Sequence, residues 1–187
     1  MRWEATVAIR EAVRMRTALK RCPLDGDGAA RPCNGTDPVI SEVASVALGE
    51  VLEAAMMATR AALGNIQLLD GTTGTLKIVA QRGFGSDFLE FFGRVHEGQA
   101  ACGTSLTHGR RIVVEDVTDS PIFLRTSALE LMLDAGARAV QSTPLFGECG
   151  RILGVLSTHY RQPCRLREDD ARRLDLAAHR AARLIER

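Results

Sequence analysis

The chain has 187 residues, of which 45% are hydrophobic, so it can form one well-packed domain with an extension but not two full domains. Its 24 basic and 23 acidic residues leave a formal net charge of +1, which favours neither nucleic acid nor a membrane surface as a partner. No apolar run approaches the roughly 20 residues that cross a bilayer. Five cysteines, at spacings that fit no disulfide framework, indicate a reducing compartment, and we expect a cytoplasmic location.

Residues 1–37 are predicted to lie outside the compact domain. Residues 1–21 are basic and compatible with a helix, but their apolar residues form only a weak stripe. Residues 22–37 (CPLDGDGAARPCNGTD) are rich in turn-forming residues and are typical of a flexible linker. We therefore expect an N-terminal extension over 1–37 and one domain over 38–187.

The domain is predicted to open with a long amphipathic helix followed by a β-hairpin. Asp37 is placed to cap a helix that starts at Pro38 and ends at Gly64. Alternating apolar residues over 65–70 and 75–81, separated by a Gly-Thr-Thr-Gly turn, indicate two paired strands. The apolar residues expected on the buried side of the helix are Val39, Val43, Val46, Ala47, Val51, Ala54 and Ala58.

The middle of the chain is predicted to consist of short helices and one strand. A helix capped by Ser86 is expected to carry a phenylalanine cluster, a second helix spans 104–108 and stops at Gly109, and a strand covers 111–115. Another helix is expected to start at Ser120 and Pro121. Ser127 and Glu130 have capping-box spacing for a helix over 128–135, which Gly136 ends.

The C-terminal part is predicted to contain a second hairpin and a last helix. Strands over 138–146 and 151–160 flank a turn, and Pro144 indicates a bulge or an edge position. An amphipathic helix follows over about 168–186. This order predicts an α+β fold with a five- or six-stranded antiparallel sheet, the N- and C-terminal helices on one face and the short elements on the other.

From about residue 41 to the end, the sequence resembles a GAF domain. The segments that carry the resemblance are 81–84 (QRGF), 102–106 (CGTSL), 114–117 (VEDV), 120–123 (SPIF), 136–145 (GARAVQSTPL) and 154–160 (GVLSTHY). They are especially similar to GAF domains found beside PAS modules in bacterial sensor histidine kinases. The resemblance implies a sensory domain with a ligand pocket between the sheet and the middle helices. It also implies homodimerisation through the terminal helices and a histidine kinase or another signalling protein as output.

The ligand and any cofactor are left unidentified by the sequence, but pocket candidates can be named. Aromatic and aliphatic candidates would form apolar walls, and polar residues on the last two strands would face the pocket at alternate positions. Glu115 and Asp116 could bind a ligand amine or guanidine, or could anchor backbone amides of the next turn. The candidates are Phe84, Phe88, Phe92, Cys102, Thr104, Glu115, Asp116, Leu129, Met132, Leu133, Ser142, Ser157 and His159.

Two other functions stay open. Cys102 corresponds to a cysteine of free methionine sulfoxide reductases, but residues 118–140 lack the second cysteine that would resolve a sulfenic acid, so a non-enzymatic protein is favoured. A GAF domain without a ligand, serving only for dimerisation, is the other alternative. The signatures of cyclic-nucleotide and bilin-binding GAF domains are missing, and the histidines and cysteines have no zinc-site spacing; haem ligation by His96, His108 or His159 is disfavoured.

Overall fold

The computed structural model of the protein describes residues 42–187. The predicted N-terminal helix over 1–21, the linker over 22–37 and the cap at Asp37 and Pro38 lie outside the described residues. The helices and strands are α1 Glu42–Thr59, β1 Leu63–Asp70, β2 Thr75–Arg82, α2 Ser86–Phe92, α3 Ala100–His108, β3 Ile112–Val114, α4 Ser127–Asp134, β4 Ala139–Phe146, β5 Ile152–Tyr160 and α5 Glu168–Ile185, with a single 3-10 turn at Glu148–Gly150.

The five strands form one antiparallel sheet in the order β2-β1-β5-β4-β3. Alternate residues of each strand point to opposite faces, so the sheet separates two apolar cores. Helices α1 and α5 cover one face, where Leu52, Leu156 and Leu174 are fully buried. Helices α2, α3 and α4 supply the core of the other face, which includes Phe88 and Met132. The predicted α+β arrangement is confirmed, with five strands in the described residues.

The end of α1 differs from the prediction. The helix stops at Thr59, and Arg60 adopts a left-handed conformation with φ of 57°. Gly64 lies instead in β1, where a Cβ would approach Leu52 Cδ1 and Met56 Sδ to 2.9 Å. The glycine is therefore needed for close contact between β1 and α1 rather than for ending the helix.

The buried side of α1 is only partly the one that the apolar spacing predicted: Val51 is buried as expected, Ala54 is exposed, and Val39 lies outside the described residues. Leu48, Leu52 and Ala55 face the sheet, whereas Val43 and Val46 are 79% and 63% exposed. The helix has apolar residues around most of its circumference, so periodicity alone did not select the face that packs.

Several helices in the middle of the chain begin or end at positions other than those predicted. Ser86 and Ser127 are the first helical residues of α2 and α4 rather than side-chain caps, because Gly85 and Thr126 hold the capping positions without a side-chain hydrogen bond. Residues 121–125 form turns and not the predicted helix. Gly109, with φ of 58°, ends α3 as predicted, although α3 begins four residues earlier than expected.

Pro144 confirms the expectation of an edge position. Strand β3 pairs with β4 only at residues 140–142, so the outer side of β4 is unpaired at Pro144. The register shift between Leu145 and Phe146 follows immediately. A residue without a backbone N–H is tolerated there because no ladder hydrogen bond is required on that side.

Candidate functional site

A small cavity, lined by buried residues, lies between the sheet and helices α2, α3 and α4. Its volume is about 10 Å³, which is the room of about one water molecule. No lining residue carries a charged side chain. The lining residues are Asn65, Gln67, Phe88, Phe92, Ala100, Ala101, Cys102, Phe123, Met132, Val140, Ser142, Ser157 and His159.

One wall of the cavity is aromatic and is carried by α2 and the residues just before it. The rings of Phe84 and Phe88 stack with centroids 3.8 Å apart, and those of Phe88 and Phe92 stack at 4.3 Å. The His159 imidazole meets Phe84 edge-on at 5.0 Å and Phe88 at 6.0 Å. The histidine is therefore held among flat apolar rings with no polar neighbour from this wall.

The floor of the cavity is formed by polar residues of three adjacent strands. Asn65 of β1 lies opposite Ser157 of β5, and Ser157 lies opposite Ser142 of β4. The two serine hydroxyls are hydrogen-bonded at 2.8 Å. Ser142, Ser157 and His159 of the two central strands thus belong to the cavity face.

The polar residues that alternate with the cavity-facing ones along β4 and β5 belong to the opposite face of the sheet, where they hydrogen-bond to one another. The Gln141 amide donates to Thr158 Oγ1 at 3.1 Å and accepts from Thr143 Oγ1 at 3.2 Å. Arg111 donates to Thr143 at 3.1 Å and also to the Ala171 carbonyl of α5 at 3.0 Å. This network links the sheet to α5 and leaves no side-chain amide atom of Gln141 unpaired.

The cavity face differs because four of its buried polar atoms have no hydrogen-bond partner. They are Asn65 Oδ1, Gln67 Oε1 and both ring nitrogens of His159, and they are the only such side-chain atoms among residues 42–187. The Gln67 amide donates its Nε2 to the Phe92 carbonyl at 3.1 Å, which fixes the amide orientation and leaves the oxygen without a donor. All three residues are at most 4% exposed.

His159 is neutral at physiological pH. Burial lowers its pKa from 6.5 to about 3, because the charged imidazolium would lose its hydration without gaining a counter-ion. A neutral imidazole offers one N–H donor and one acceptor nitrogen. The cavity therefore presents three acceptors and one donor, all unsatisfied.

Cys102 lines the same cavity as an unreactive thiol. Burial raises its pKa to about 12, so the nucleophilic thiolate is not populated near neutral pH. It is a free cysteine, as is the half-buried Cys164. Residues 42–187 contain no cluster of histidine, cysteine and carboxylate side chains that could hold a metal ion. Over the same range, none of the helices has the length and apolar character needed to cross a membrane.

Of the thirteen candidates from the sequence, the structure brings seven to the cavity lining: Phe88, Phe92, Cys102, Met132, Ser142, Ser157 and His159. Phe84 lies behind Phe88 and contacts His159. Thr104 bonds back to the Ala100 carbonyl at 2.6 Å, Leu129 is half-buried against the same core, and Leu133 is 40% exposed. Whether any of the thirteen contacts a ligand stays a prediction.

The acidic pair lies outside the cavity. Asp116 accepts hydrogen bonds from Arg138 Nη2 at 2.7 Å and from the backbone and hydroxyl of Thr118 at 3.0 and 2.7 Å. The Arg138 hydrogen bond is the main reason that the pKa of Asp116 is lowered to about 2. Glu115 pairs with Arg165 at 3.3 Å on the surface.

These carboxylates border a surface groove of about 560 Å³. The groove is larger than the cavity, but it is open to solvent and both members of the acidic pair already have basic partners. The small cavity is the better candidate site, because it combines complete burial with unsatisfied polar atoms.

Six lining residues escaped the sequence prediction: Asn65, Gln67, Ala100, Ala101, Phe123 and Val140. Asn65 and Gln67 alternate with Ile66 and Leu68 along β1, a pattern that normally indicates a solvent-facing polar side. Only the three short helices that cover this face turn it into a second interior. The signal in the sequence that could have identified them is a pair of amides on one face of a strand, close to a phenylalanine cluster.

Comparison with known proteins places this arrangement in a family. The sequence model of the GAF domain matches residues 41–186, which is most of the chain. None of the curated proteins matches the chain.

Solved structures show the same fold. A domain described as part of a two-component sensor histidine kinase from Sinorhizobium meliloti is 24% identical, with a TM-score of 0.65 over 78% of this chain and 92% of that chain. The free methionine-R-sulfoxide reductase of Neisseria meningitidis is 22% identical, with a TM-score of 0.63 over 76% and 78%. The GAF domain of a two-component sensor histidine kinase from Bacillus halodurans is 18% identical, with a TM-score of 0.63 over 79% and 95%. By sequence and by fold, this chain belongs to the GAF domain family.

Proposed function

We propose that this GAF domain is a sensory module that binds a small molecule in the cavity between the sheet and helices α2, α3 and α4. The observation that carries the proposal is the set of four buried, unpartnered atoms on Asn65, Gln67 and His159. Leaving a buried polar group unsatisfied costs about 1–3 kcal/mol, and native proteins retain few such groups. A bound molecule that pairs with them would recover this free energy.

Entry of a molecule larger than water requires the cavity to open, and α2 is the element best suited to move. It has only seven residues, it begins without a side-chain cap, and it carries Phe88 and Phe92. The hydrogen bond from Gln67 to the Phe92 carbonyl connects α2 directly to β1. A shift of α2 would therefore act on the central strands.

The route to the terminal helices follows from the two faces of these strands. Ile66 and Leu156 lie between the cavity-facing residues of β1 and β5 and are fully buried against α1 and α5 on the other face. A ligand that prefers one packing of the strands would bias the helices by the difference in its affinity for the two states. We infer that α1 and α5 pass this bias to a second subunit and to a signalling output, such as a histidine kinase, in the cytoplasm.

Native mass spectrometry of the freshly purified full chain, together with its absorbance spectrum, tests the binding function. The expected result is a stoichiometric bound mass that denaturation releases and that His159→Phe reduces, because the variant removes two of the four unpartnered atoms. A wild-type protein that is a dimer with no bound mass would instead support the scaffold alternative.

A reductase is the second candidate because Cys102 lines the cavity. The raised pKa of this thiol and the absence of a cysteine in residues 118–140 argue against it. We expect no turnover of free methionine sulfoxide with a thiol reductant, and Cys102→Ser should leave ligand binding largely intact. Turnover by the wild type that Cys102→Ser abolishes would overturn the sensory proposal.

A further inference from the structure

The geometry points to a ligand class: we propose that the cavity binds a small, planar, uncharged molecule that bears N–H donors, of the aromatic carboxamide type. The inference rests on the proposed function, since it names the chemistry of the same site. Its basis is the kind of polar atom that Asn65, Gln67 and His159 leave unsatisfied, together with the charge and shape of what surrounds them.

The cavity has more unsatisfied hydrogen-bond acceptors than donors. Asn65 Oδ1 and Gln67 Oε1 can only accept, and the neutral ring of His159 adds one acceptor and one donor. The hydroxyls of Ser142 and Ser157 already bond to each other. A complementary ligand must therefore supply more N–H or O–H donors than acceptors, as a primary carboxamide does with two N–H groups and one carbonyl oxygen.

The unpartnered atoms lie near one another on the sheet, with Asn65 in the middle. Gln67 is two residues from Asn65 along β1, and His159 lies on the other side of Asn65, because β5 pairs Ser157 with Asn65 and His159 with Leu63. Residues i and i+2 of a strand lie about 7 Å apart, and directly paired residues about 5 Å apart. A single amide group with its attached ring spans such distances, so one small molecule can reach more than one of the unpartnered atoms.

The surroundings of the cavity favour an uncharged ligand. None of the residues that line the cavity has a charged side chain, and an ion moved there would lose its hydration without a counter-ion. The burial that keeps His159 neutral acts in the same way on any carboxylate or ammonium group of a ligand. Anions and cations of the same shape are therefore disfavoured.

The aromatic wall beside the polar floor favours a planar ligand. Phe84 and Phe92 stack on the two faces of Phe88, so Phe88 offers its ring edge to the cavity. A planar ligand gains contact with this wall while its edge reaches the strands, as aromatic rings prefer offset-stacked or edge-to-face contacts. A saturated, bulky molecule would need a wider opening of α2.

Three probes that share a benzoyl group test the ligand class on the full chain: benzamide, the slightly larger methyl benzoate, and benzoate. Methyl benzoate keeps the ring and carbonyl but has no N–H donor, and benzoate replaces the amide with a charge. Saturation-transfer NMR and calorimetric titration should show benzamide bound about tenfold or more tighter than methyl benzoate, since a lost hydrogen bond to a buried acceptor typically costs about that factor. Benzoate should bind more weakly than both.

Two variants with matched chemistry identify the site. Asn65→Leu removes an amide whose oxygen is unpartnered, so it should weaken benzamide binding about tenfold while leaving the thermal midpoint unchanged or higher. Gln141→Leu replaces a buried amide on the opposite face whose two ends are paired, so it should lower the midpoint and leave benzamide affinity unchanged. A fall in the midpoint of Asn65→Leu with unchanged affinity would overturn the assignment.

The remaining outcomes separate the ligand class from the binding function. Equal affinity for benzamide and methyl benzoate, a preference for benzoate, or no binding of benzamide overturns the carboxamide class. If a bound mass from the cell is still present in native mass spectrometry, the binding function stands with another ligand. If no mass is bound and a crystal structure places ordered water on the four atoms, both proposals are overturned.

Discussion

His159 is a buried histidine that lines the cavity. It is 4% exposed, both ring nitrogens are unpartnered, and its nearest ring neighbours are phenylalanines. A core histidine usually has a hydrogen bond, because an unsatisfied buried polar group is costly. Because burial without a counter-ion disfavours the charged imidazolium, this residue makes the stability of the domain depend on pH.

We predict that stability falls as the pH falls from about 6.5 towards 3. In this window the unfolded chain binds a proton at His159 and the folded chain does not, so each unit of acidification removes up to about 1.4 kcal/mol. Urea unfolding at pH 7 and pH 5 measures the effect, and His159→Phe should flatten the slope. His179→Gln, at an exposed position, is the control and should not flatten the slope. Equal slopes in all three proteins would contradict the prediction.

Asp116 and Glu115 are neighbouring carboxylates with different surroundings, so we expect them to contribute differently to stability. Asp116 holds the turn that contains Thr118 and binds Arg138, whereas Glu115 has one surface partner. We predict that Asp116→Asn lowers the midpoint of thermal unfolding and that Glu115→Gln leaves it unchanged. Neither should alter ligand affinity; a loss of affinity in Glu115→Gln would restore a binding role for the acidic pair.

At the scale of elements, the packing of β1 against β5 depends on a glycine. A Cβ on Gly154 would lie 2.1 Å from the carbonyl oxygen of Gln67 and 3.0 Å from Leu68 Cα, so the two strand backbones would have to separate. Gly85, the N-cap of α2, has open space and a conformation that alanine can adopt. These two positions give opposite expectations for the same substitution.

We predict that Gly154→Ala destabilises the domain by about 2 kcal/mol or more, because a backbone atom cannot yield as a side chain can. Gly85→Ala should change the free energy of unfolding by less than about 1 kcal/mol, with a gain possible from a stiffer unfolded chain. Chemical denaturation at fixed pH compares the two. A similar cost at both positions would show that the strand contact is looser than described.

At the scale of the whole molecule, the sheet separates the small buried cavity from a helical surface. The cavity face contains the unpartnered atoms, and the opposite face packs α1 and α5 through a second apolar core. On the outer side of these helices, Val43, Val46, Met57 and Leu176 are 63–81% exposed. Apolar side chains that remain exposed on two adjacent helices are typical of an association surface.

We predict that the double substitution of Val46 and Met57 by Lys shifts the protein from dimer to monomer. Val113, which is 41% exposed on the edge strand β3, offers a control position where Lys should leave the dimer intact. Multi-angle light scattering after size-exclusion chromatography at micromolar concentration measures the mass. A monomeric wild type, or a dimer that survives the double substitution, would contradict the proposed interface.

The sequence by itself determined the order of elements and the fold, because strand alternation, turn glycines and helix stops such as Gly109 are local properties of the chain. It placed the hairpins and α5 nearly as observed, and seven of its candidates reach the cavity. Local patterns did not decide which side of α1 packs, because apolar residues surround it. Only the tertiary structure decided that Asn65 and Gln67 face an interior, since their burial depends on helices that are distant in the sequence and fold over the same face of the sheet.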